Sequence, residues 1–153
     1  MLSAVVIAKN EEKNIVDCLE GLDFCQEIIV VDDYSEDRTM EILESKSKEN
    51  PKVKVFKRKL GVDFSAQRNY GVEKTTSDWV LFVDADERIA KELADEIKEN
   101  LLIPGFAGFL IPRTDFMWGK ELEHGETGNI KLLSLFNKNK GSLKGTVHEV
   151  WET

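Results

Sequence analysis

Short apolar runs, each rich in β-branched or aromatic residues, alternate with segments of helical periodicity along the first two thirds of the chain. Runs of this kind predict strands that are buried on one or both faces of a sheet. Alternation of strands and helices at this spacing is typical of βαβ units, which place parallel strands side by side. We therefore predict an α/β fold with a mostly parallel sheet. Its strands are expected at residues 2–8, 27–32, 53–58 and 79–83.

The segments between these strands carry apolar residues at helical spacing. After the first strand, Ile15 and Leu19 lie one turn apart, with Asn14 as the expected N-cap. A second helix begins near Met40 and ends before Pro51, because the residue before a proline disfavours helical geometry. Further helices are expected at 64–72 and about 91–101, and further strands at 106–109 and 132–136.

Composition excludes several classes of protein. At 153 residues, the chain is long enough for one domain with its own core. Its net charge of −8 disfavours binding to nucleic acid or to anionic lipid, because both need a basic face. No apolar run approaches the roughly 20 residues of a transmembrane helix, and Cys18 and Cys25 alone make no disulfide framework. We expect a cytoplasmic protein with no transmembrane segment and no nucleic-acid partner.

Acidic residues directly follow three of the predicted strands. They are Glu11 and Glu12, then Asp32 and Asp33, then Asp84, Asp86 and Glu87. Right-handed crossovers put the carboxyl ends of parallel strands on one edge of a sheet, and open α/β sheets bind their ligands at that edge. We therefore expect the three acidic groups to meet in one crevice.

Asp84 and Asp86 form the most specific of these groups. On extended backbone, residues two apart point the same way, so their carboxylates are expected side by side at the strand end. Such a pair favours a bound cation, and carboxylate oxygens favour Mg²⁺ or Mn²⁺. The alternative is a solvated turn that begins a helix.

The acids after the second strand have two interpretations. A carboxylate in the segment Asp32-Asp33-Tyr34-Ser35 can accept hydrogen bonds from a nucleobase or a ribose hydroxyl. Alternatively, Ser35 or Asp37 forms an Asx-turn or helix cap with this segment. The residues alone do not decide between a ligand site and a local turn.

Four segments occur together in an order and spacing typical of one enzyme family. They are residues 5–12 (VVIAKNEE), 28–39 (IIVVDDYSEDRT), 67–71 (QRNYG) and 78–87 (DWVLFVDADE). On these motifs the chain resembles the family 2 glycosyltransferases over residues 1–101. The resemblance extends more weakly to 131–136 and 147–149, which are similar to the lipopolysaccharide-core β-glucosyltransferase branch.

This resemblance implies a GT-A fold, which is a Rossmann-like three-layer sandwich around a mostly parallel central sheet. It implies a single domain over 1–153, with a nucleotide-sugar-binding half at 1–103. Residues 104–153 would form a partial acceptor half, as in a truncated chain. It also implies a nucleotide-diphosphate sugar donor, a divalent metal ion and inversion at the anomeric carbon.

The family's site residues carry over to matching positions of this chain. The nucleotide-sugar pocket is expected to contain Ala8, Asn10, Glu11, Asp33, Gln67, Arg68 and Asp84. The resemblance implies that Asp33 contacts the base, and that Arg68, with Gln67, reaches the base or pyrophosphate. Asp84 would face the ribose or the metal, and Asp86 would hold Mn²⁺ or Mg²⁺. At Tyr34 the family more often has glycine, so a side chain there is expected to narrow the pocket mouth.

The general base and a further metal ligand are expected near the end of the chain. Many relatives supply the base from a Glu-Asp pair, and no such pair follows Asp86. Glu149 is the nearest substitute. The adjacent His148 would complete the metal shell, or it is an ordinary surface or core histidine. The other candidates for the base are Asp115, Glu123 and Glu126.

These features predict a metal-assisted, inverting glycosyltransferase that uses a UDP-sugar such as UDP-glucose. The acceptor would be a hydroxyl on a saccharide or lipid-linked glycan, at the inner face of the membrane, in cell-envelope polysaccharide synthesis. The alternative is a catalytically weak nucleotide-sugar-binding module without a complete acceptor site. A nucleotidyltransferase is disfavoured, because residues 9–13 contain no glycine for a phosphate loop.

Overall fold

The computed structural model describes residues 1–112, 116–117, 120–121, 131–144 and 150–152. The α-helices of this part are α1 (Ile15–Gly21), α2 (Thr39–Glu49), α3 (Phe64–Glu73) and α4 (Lys91–Asn100). The first strands are β1 (Leu2–Ala8), β2 (Glu27–Asp32), β3 (Val53–Lys57), β4 (Trp79–Asp84) and β5 (Gly108–Pro112). They are followed by β6 (Phe116–Met117), β7 (Lys120–Glu121), β8 (Lys131–Asn137), β9 (Ser142–Lys144) and β10 (Val150–Glu152).

A six-stranded sheet in the order β3-β2-β1-β4-β8-β5 forms the centre of the described structure. β1 pairs in parallel with β2 and β4, and β2 pairs in parallel with β3. β8 runs antiparallel to both β4 and β5. The predicted fold class, α/β with a mostly parallel central sheet, is confirmed.

Helices cover both faces of this sheet, because the central strands are buried on both sides. On one face, Val6 of β1 belongs to a core cluster with Leu43 of α2 and Ile97 of α4. On the other face, Val5 of β1 belongs to a second cluster, against which Tyr70 of α3 packs. The result is the three-layer arrangement that the family resemblance implied.

The largest boundary difference concerns β5, which was expected at 106–109 and lies at Gly108–Pro112. Pairing with β8 sets its bounds, since Gly108 lies opposite Phe136. Phe106 precedes the strand, where its ring packs on Phe109 with the ring centroids 5.3 Å apart. Phe106 therefore packs against the strand from the preceding segment and is not part of it.

A buried carboxylate joins the amino-terminal ends of the central strands. Glu27, only 4% exposed, accepts hydrogen bonds from the Ser3 hydroxyl at 2.6 Å and the Lys54 ammonium at 2.9 Å. It also accepts from the N–H and the hydroxyl of Thr76. Burial alone would raise the pKa of Glu27, but these hydrogen bonds outweigh it and lower the pKa to about 2.

We expect Glu27→Gln to lower the free energy of unfolding by about 1–3 kcal/mol at neutral pH, because the amide cannot satisfy the same set of donors. Since the pKa falls on folding, the ionised carboxylate stabilises the protein fully above pH 4.5, and this contribution is lost as the pH falls towards 2. Urea denaturation across that range should show the difference between wild type and variant shrinking on acidification. A constant difference would contradict the assigned role.

α3 lies so close to the sheet that only glycine fits at one position. A Cβ added at Gly71 would lie 2.4 Å from Cγ1 of the buried Val5. We expect Gly71→Ala to lower the free energy of unfolding by about 1–3 kcal/mol through overpacking. Gly21→Ala is the matched control, because the nearest atom to its added Cβ is 3.5 Å away. Equal urea midpoints for the two variants would show that α3 tolerates the extra methyl group.

Candidate functional site

Parallel pairing aligns the carboxyl ends of the central strands along one edge of the sheet. Ala8 lies opposite Asp32 in the β1–β2 register, and Ile7 lies opposite Asp84 in the β1–β4 register. Neighbouring strands are about 4.8 Å apart, so the backbones of Asp32 and Asp84 lie about 10 Å apart across β1. The chain runs outward through β2 and β3 and returns to β4 on the other side of β1. Such a switch point is where open α/β sheets bind ligands.

The loop after β1 is tied to the loop after β2. The Asn10 N–H donates to Ser35 Oγ at 2.9 Å, and the Glu36 N–H donates to Asn10 Oδ1 at 2.8 Å. The Glu11 N–H donates to Thr39 Oγ1 at 2.8 Å. Two predicted site residues, Asn10 and Glu11, therefore hold the two loops together as one unit.

Asp33 is the most enclosed of the described acids predicted to bind a ligand, and it is 6% exposed. Its N–H donates to the Ala8 carbonyl at 2.9 Å. Its Oδ1 accepts from the Leu60 N–H and its Oδ2 from the Lys9 ammonium, both at 2.9 Å. Burial opposes the charge, but the Leu60 N–H and the Lys9 ammonium outweigh it and lower the pKa of Asp33. Asp33 is therefore an ionised acceptor at neutral pH.

The neighbouring acids stabilise the loop itself. Asp32 is fully buried, and its carboxylate accepts from both the N–H and the hydroxyl of Ser35, three residues on, which closes a local turn. Asp37 accepts from the Thr39 N–H at 2.9 Å, at the start of α2. The local-turn interpretation is thus correct for Asp32 and Asp37. Asp33 is left as the acid of this segment that can serve a ligand.

Two residues beside these acids have left-handed backbone. Asn10 has φ 54° and Tyr34 has φ 49°. Asparagine tolerates this region, whereas for tyrosine it costs about 1–2 kcal/mol. The Tyr34 residue is also 57% exposed. The left-handed φ gives a physical reason for the glycine that the family more often has at position 34.

Asp84 ends β4 and pairs with α3. Its Oδ1 accepts from Arg68 Nη2 at 3.0 Å, and the Arg68 guanidinium carbon lies 5.3 Å from the centroid of the Phe82 ring. The Asp84 N–H donates to the Glu87 carboxylate at 2.8 Å, and the Glu87 N–H donates to the Asp84 carbonyl at 2.9 Å. Residues 84–87 therefore form a closed turn, and Arg68 of α3 binds its first residue.

Asp86 lies within this turn and is exposed to solvent. The strand ends at Asp84, so the extended backbone that was expected to aim Asp84 and Asp86 the same way is absent. That part of the prediction is wrong, because Glu87 folds back onto the Asp84 N–H and closes the chain into a turn. The role of Asp86 as a metal ligand stays a prediction.

Gln67 lies beneath the site, fully buried on α3. Its Oε1 accepts from Arg58 Nη1 at 2.8 Å, and its Nε2 donates to the Arg58 carbonyl at 2.7 Å. The Arg58 guanidinium carbon lies 5.6 Å from the centroid of the Tyr70 ring. Gln67 therefore orders the segment after β3, and its direct contact with a nucleotide stays a prediction.

Sequence reasoning did not assign roles to Lys9, Arg58 or Leu60, although each is hydrogen-bonded to a predicted site residue. Lys9 and Leu60 donate to Asp33, and Arg58 donates to Gln67. Lys9 had the clearest signal, since it stands inside the first motif and directly follows β1. The backbone N–H of Leu60 could not be anticipated, because any residue other than proline carries one.

The remaining predicted residues lie outside the described part of the chain. They are Glu149 and His148, together with the alternative bases Asp115, Glu123 and Glu126. Within the described part, no group of three or more His, Cys, Asp or Glu side chains is arranged to hold a metal ion. The helices described there are also too short or too polar to cross a membrane.

Comparisons with known proteins agree with the motifs and the fold. The model of the family described as Glycosyl transferase family 2 matches residues 3–149. A curated relative, the lipopolysaccharide core biosynthesis glycosyltransferase LpsC of Rhizobium meliloti (strain 1021), is 28% identical over 151 residues. The match covers 97% of this chain and 56% of LpsC, so the chain spans little more than half of that relative.

Solved structures share the fold. S. aureus TarS 1–349 superposes with a TM-score of 0.56 at 33% identity, over 64% of this chain and 31% of TarS. The same TarS fragment solved with UDP-GlcNAc gives a TM-score of 0.52 at 32% identity, over 64% of this chain and 30% of TarS. The mannosyltransferase PcManGT of Pyrobaculum calidifontis has a TM-score of 0.58 at 22% identity, over 73% and 35% of the two chains.

The strained backbone at Tyr34 gives a test of the site geometry. We expect Tyr34→Asn to keep or raise the free energy of unfolding, by up to about 1 kcal/mol, because asparagine tolerates left-handed φ and little packing is lost. Tyr34→Val should be less stable than Tyr34→Asn by about 1–2 kcal/mol, because a β-branched residue is strained at left-handed φ and asparagine is not. Urea denaturation compares the two variants, and equal stabilities would contradict the left-handed conformation.

Proposed function

The chain belongs to glycosyl transferase family 2, and from that premise we propose that it transfers a sugar from a nucleotide-diphosphate donor to an acceptor hydroxyl. The donor is a UDP-sugar such as UDP-glucose, and the reaction inverts the anomeric carbon. A single observation carries the proposal. Asp33, whose N–H donates to the Ala8 carbonyl, and Asp84, opposite Ile7, lie on the two sides of β1 at the carboxyl edge. The UDP-GlcNAc complex of TarS, at 32% identity, supports a UDP donor.

In this proposal, each of the described site residues binds a different part of the nucleotide-sugar donor. The Asp33 carboxylate accepts an N–H of the base, for which its enclosure and lowered pKa suit it. Arg68, across β1, supplies a planar cation that matches the oxygens of a diphosphate. Its present partner Asp84 is 37% exposed at the side chain and faces the ribose or the metal. Ala8, Asn10 and Glu11 shape the wall between these positions.

The acids after β4 fit a divalent cation of the Mg²⁺ or Mn²⁺ type. Such ions commonly take one or two carboxylates from the protein and further oxygens from substrate phosphates. Asp86 is exposed and Asp84 is partly so, which matches that donor set. Asp86 and Asp84 would hold the ion, with His148 as a further proposed ligand. When bound, the ion supplies positive charge that stabilises the departing diphosphate.

The acceptor side of the proposal uses Glu149 as general base. A carboxylate opposite the leaving group takes the proton of the acceptor hydroxyl, and the hydroxyl attacks in one displacement, which inverts the anomeric carbon. We propose a saccharide or lipid-linked glycan as acceptor, at the cytoplasmic face of the membrane. The printed role of LpsC in lipopolysaccharide core synthesis supports an acceptor of the cell envelope.

Thermal shift with UDP tests the donor site. Wild type should be stabilised by UDP, more strongly with Mn²⁺ than with EDTA. Asp86→Ala should remove the ion dependence, and Asp33→Asn should weaken UDP binding about tenfold or more, because an amide presents a donor where the base needs an acceptor. Asp95→Asn is the control, since that acid is exposed on α4 and pairs only with Lys98 among its described contacts.

Release of UDP from UDP-glucose tests the chemistry. Slow hydrolysis of the donor with Mn²⁺ is expected from wild type and is lost in Asp86→Ala. A protein that binds UDP but never releases it from the sugar would be a binding module rather than a transferase. Ion dependence that survives in Asp86→Ala would overturn the metal assignment.

A further inference from the structure

Lys9 forms an ion pair with Asp33, the carboxylate that the proposed function assigns to the nucleobase. Its ammonium lies 2.9 Å from Asp33 Oδ2, while the other Asp33 oxygen accepts from the Leu60 N–H. The Lys9 side chain is 57% exposed, whereas that of Asp33 is 8% exposed. The lysine is therefore the exposed, movable partner of an enclosed acid.

Lys9 lies at the carboxyl end of β1, between the ends of β2 and β4 that carry the proposed site residues. The residue directly follows β1, the strand that pairs with β2 on one side and β4 on the other. Both neighbouring strands lie about 4.8 Å from β1, which is within the span of a lysine side chain. In the structure the ammonium bonds to Asp33, and the end of β4 lies one strand spacing away on the other side of β1.

We propose that Lys9 binds the donor's diphosphate, and that it does so by leaving Asp33 when the donor enters. This inference rests on the proposed function, because it assumes that Asp33 receives the base. The exchange releases Asp33 Oδ2 for the base N–H and gives the ammonium new phosphate partners. Recognition of the base and of the phosphates is thereby coupled through one side chain.

Lys9 would bind the diphosphate alongside Arg68, and the two cations differ in how they are held. Arg68 is paired with Asp84 and lies over the Phe82 ring. Arg58 is bonded to the buried Gln67. The Lys9 side chain is 57% exposed, against 23% for Arg68, so Lys9 loses less packing when it exchanges its partner.

The test measures the dissociation constants of uridine and UDP by calorimetry at fixed Mg²⁺, for wild type, Lys9→Met and Lys9→Arg. In Lys9→Met, UDP should bind about tenfold to a hundredfold more weakly, because a charge-assisted phosphate contact is lost. Uridine should bind as well as to wild type or better, because it no longer has to displace the ammonium. Lys9→Arg keeps the charge and should retain UDP binding within about threefold.

Lys13→Met is the matched control, because Lys13 is also exposed and lies on the same loop. Its affinities should equal those of wild type. Lys9→Met weakening uridine and UDP by the same factor would overturn the proposal, since Lys9 would then only position Asp33. Unchanged UDP affinity would overturn it as well. Wild type that binds neither uridine nor UDP would overturn the proposed function, and this inference with it.

Discussion

The parallel pairing of β1 with both β2 and β4 is the constraint on which the rest of the structure depends. Val5 and Val6 are fully buried on opposite faces of β1, so the strand is fixed by two core clusters at once. A slip of one residue would exchange the two faces and bury the wrong side chains. The register that satisfies both clusters also brings Asp32 and Asp84 to the same edge. Packing of apolar side chains therefore determines where the acids of the site lie.

Hydrogen-bond saturation separates the acids that stabilise the fold from those that are available to a ligand. Glu27 and Asp32 are buried. Glu27 accepts four hydrogen bonds from the protein, and Asp32 accepts two from the neighbouring Ser35. Asp33 is also buried, but it accepts from two described donors, one of which is the exposed Lys9 ammonium. Asp86 is exposed in its turn. Sequence position alone does not reveal this difference, because all four acids lie at or beside strand ends.

The pattern of apolar and polar residues predicted the features that depend on neighbours in the sequence. The β-branched runs predicted β1 and β2, and the acids after them were placed at the carboxyl edge because parallel strands end together. Contacts between distant segments were not predictable in this way. The burial of Gln67 beneath Arg58 depends on how α3 lies on the sheet, which the close approach at Gly71 sets. The turn at Asp86 depends on Glu87 reaching a backbone N–H, whereas the motif suggested continued extended backbone.

An acidic chain can bind an anionic sugar donor without an excess of basic residues. It can do so if cations already paired with carboxylates at the site transfer to the phosphates. Lys9 is paired with Asp33 and Arg68 with Asp84, so both of these cations already have a carboxylate beside them. A phosphate that takes over one of these cations frees a carboxylate, and that carboxylate needs a new donor. Under the proposed function, a base N–H would be such a donor at Asp33, and a divalent ion would serve the same purpose at Asp84. The net charge of −8 therefore does not by itself oppose an anionic donor, because the proposed exchange of partners would add no charge to the site.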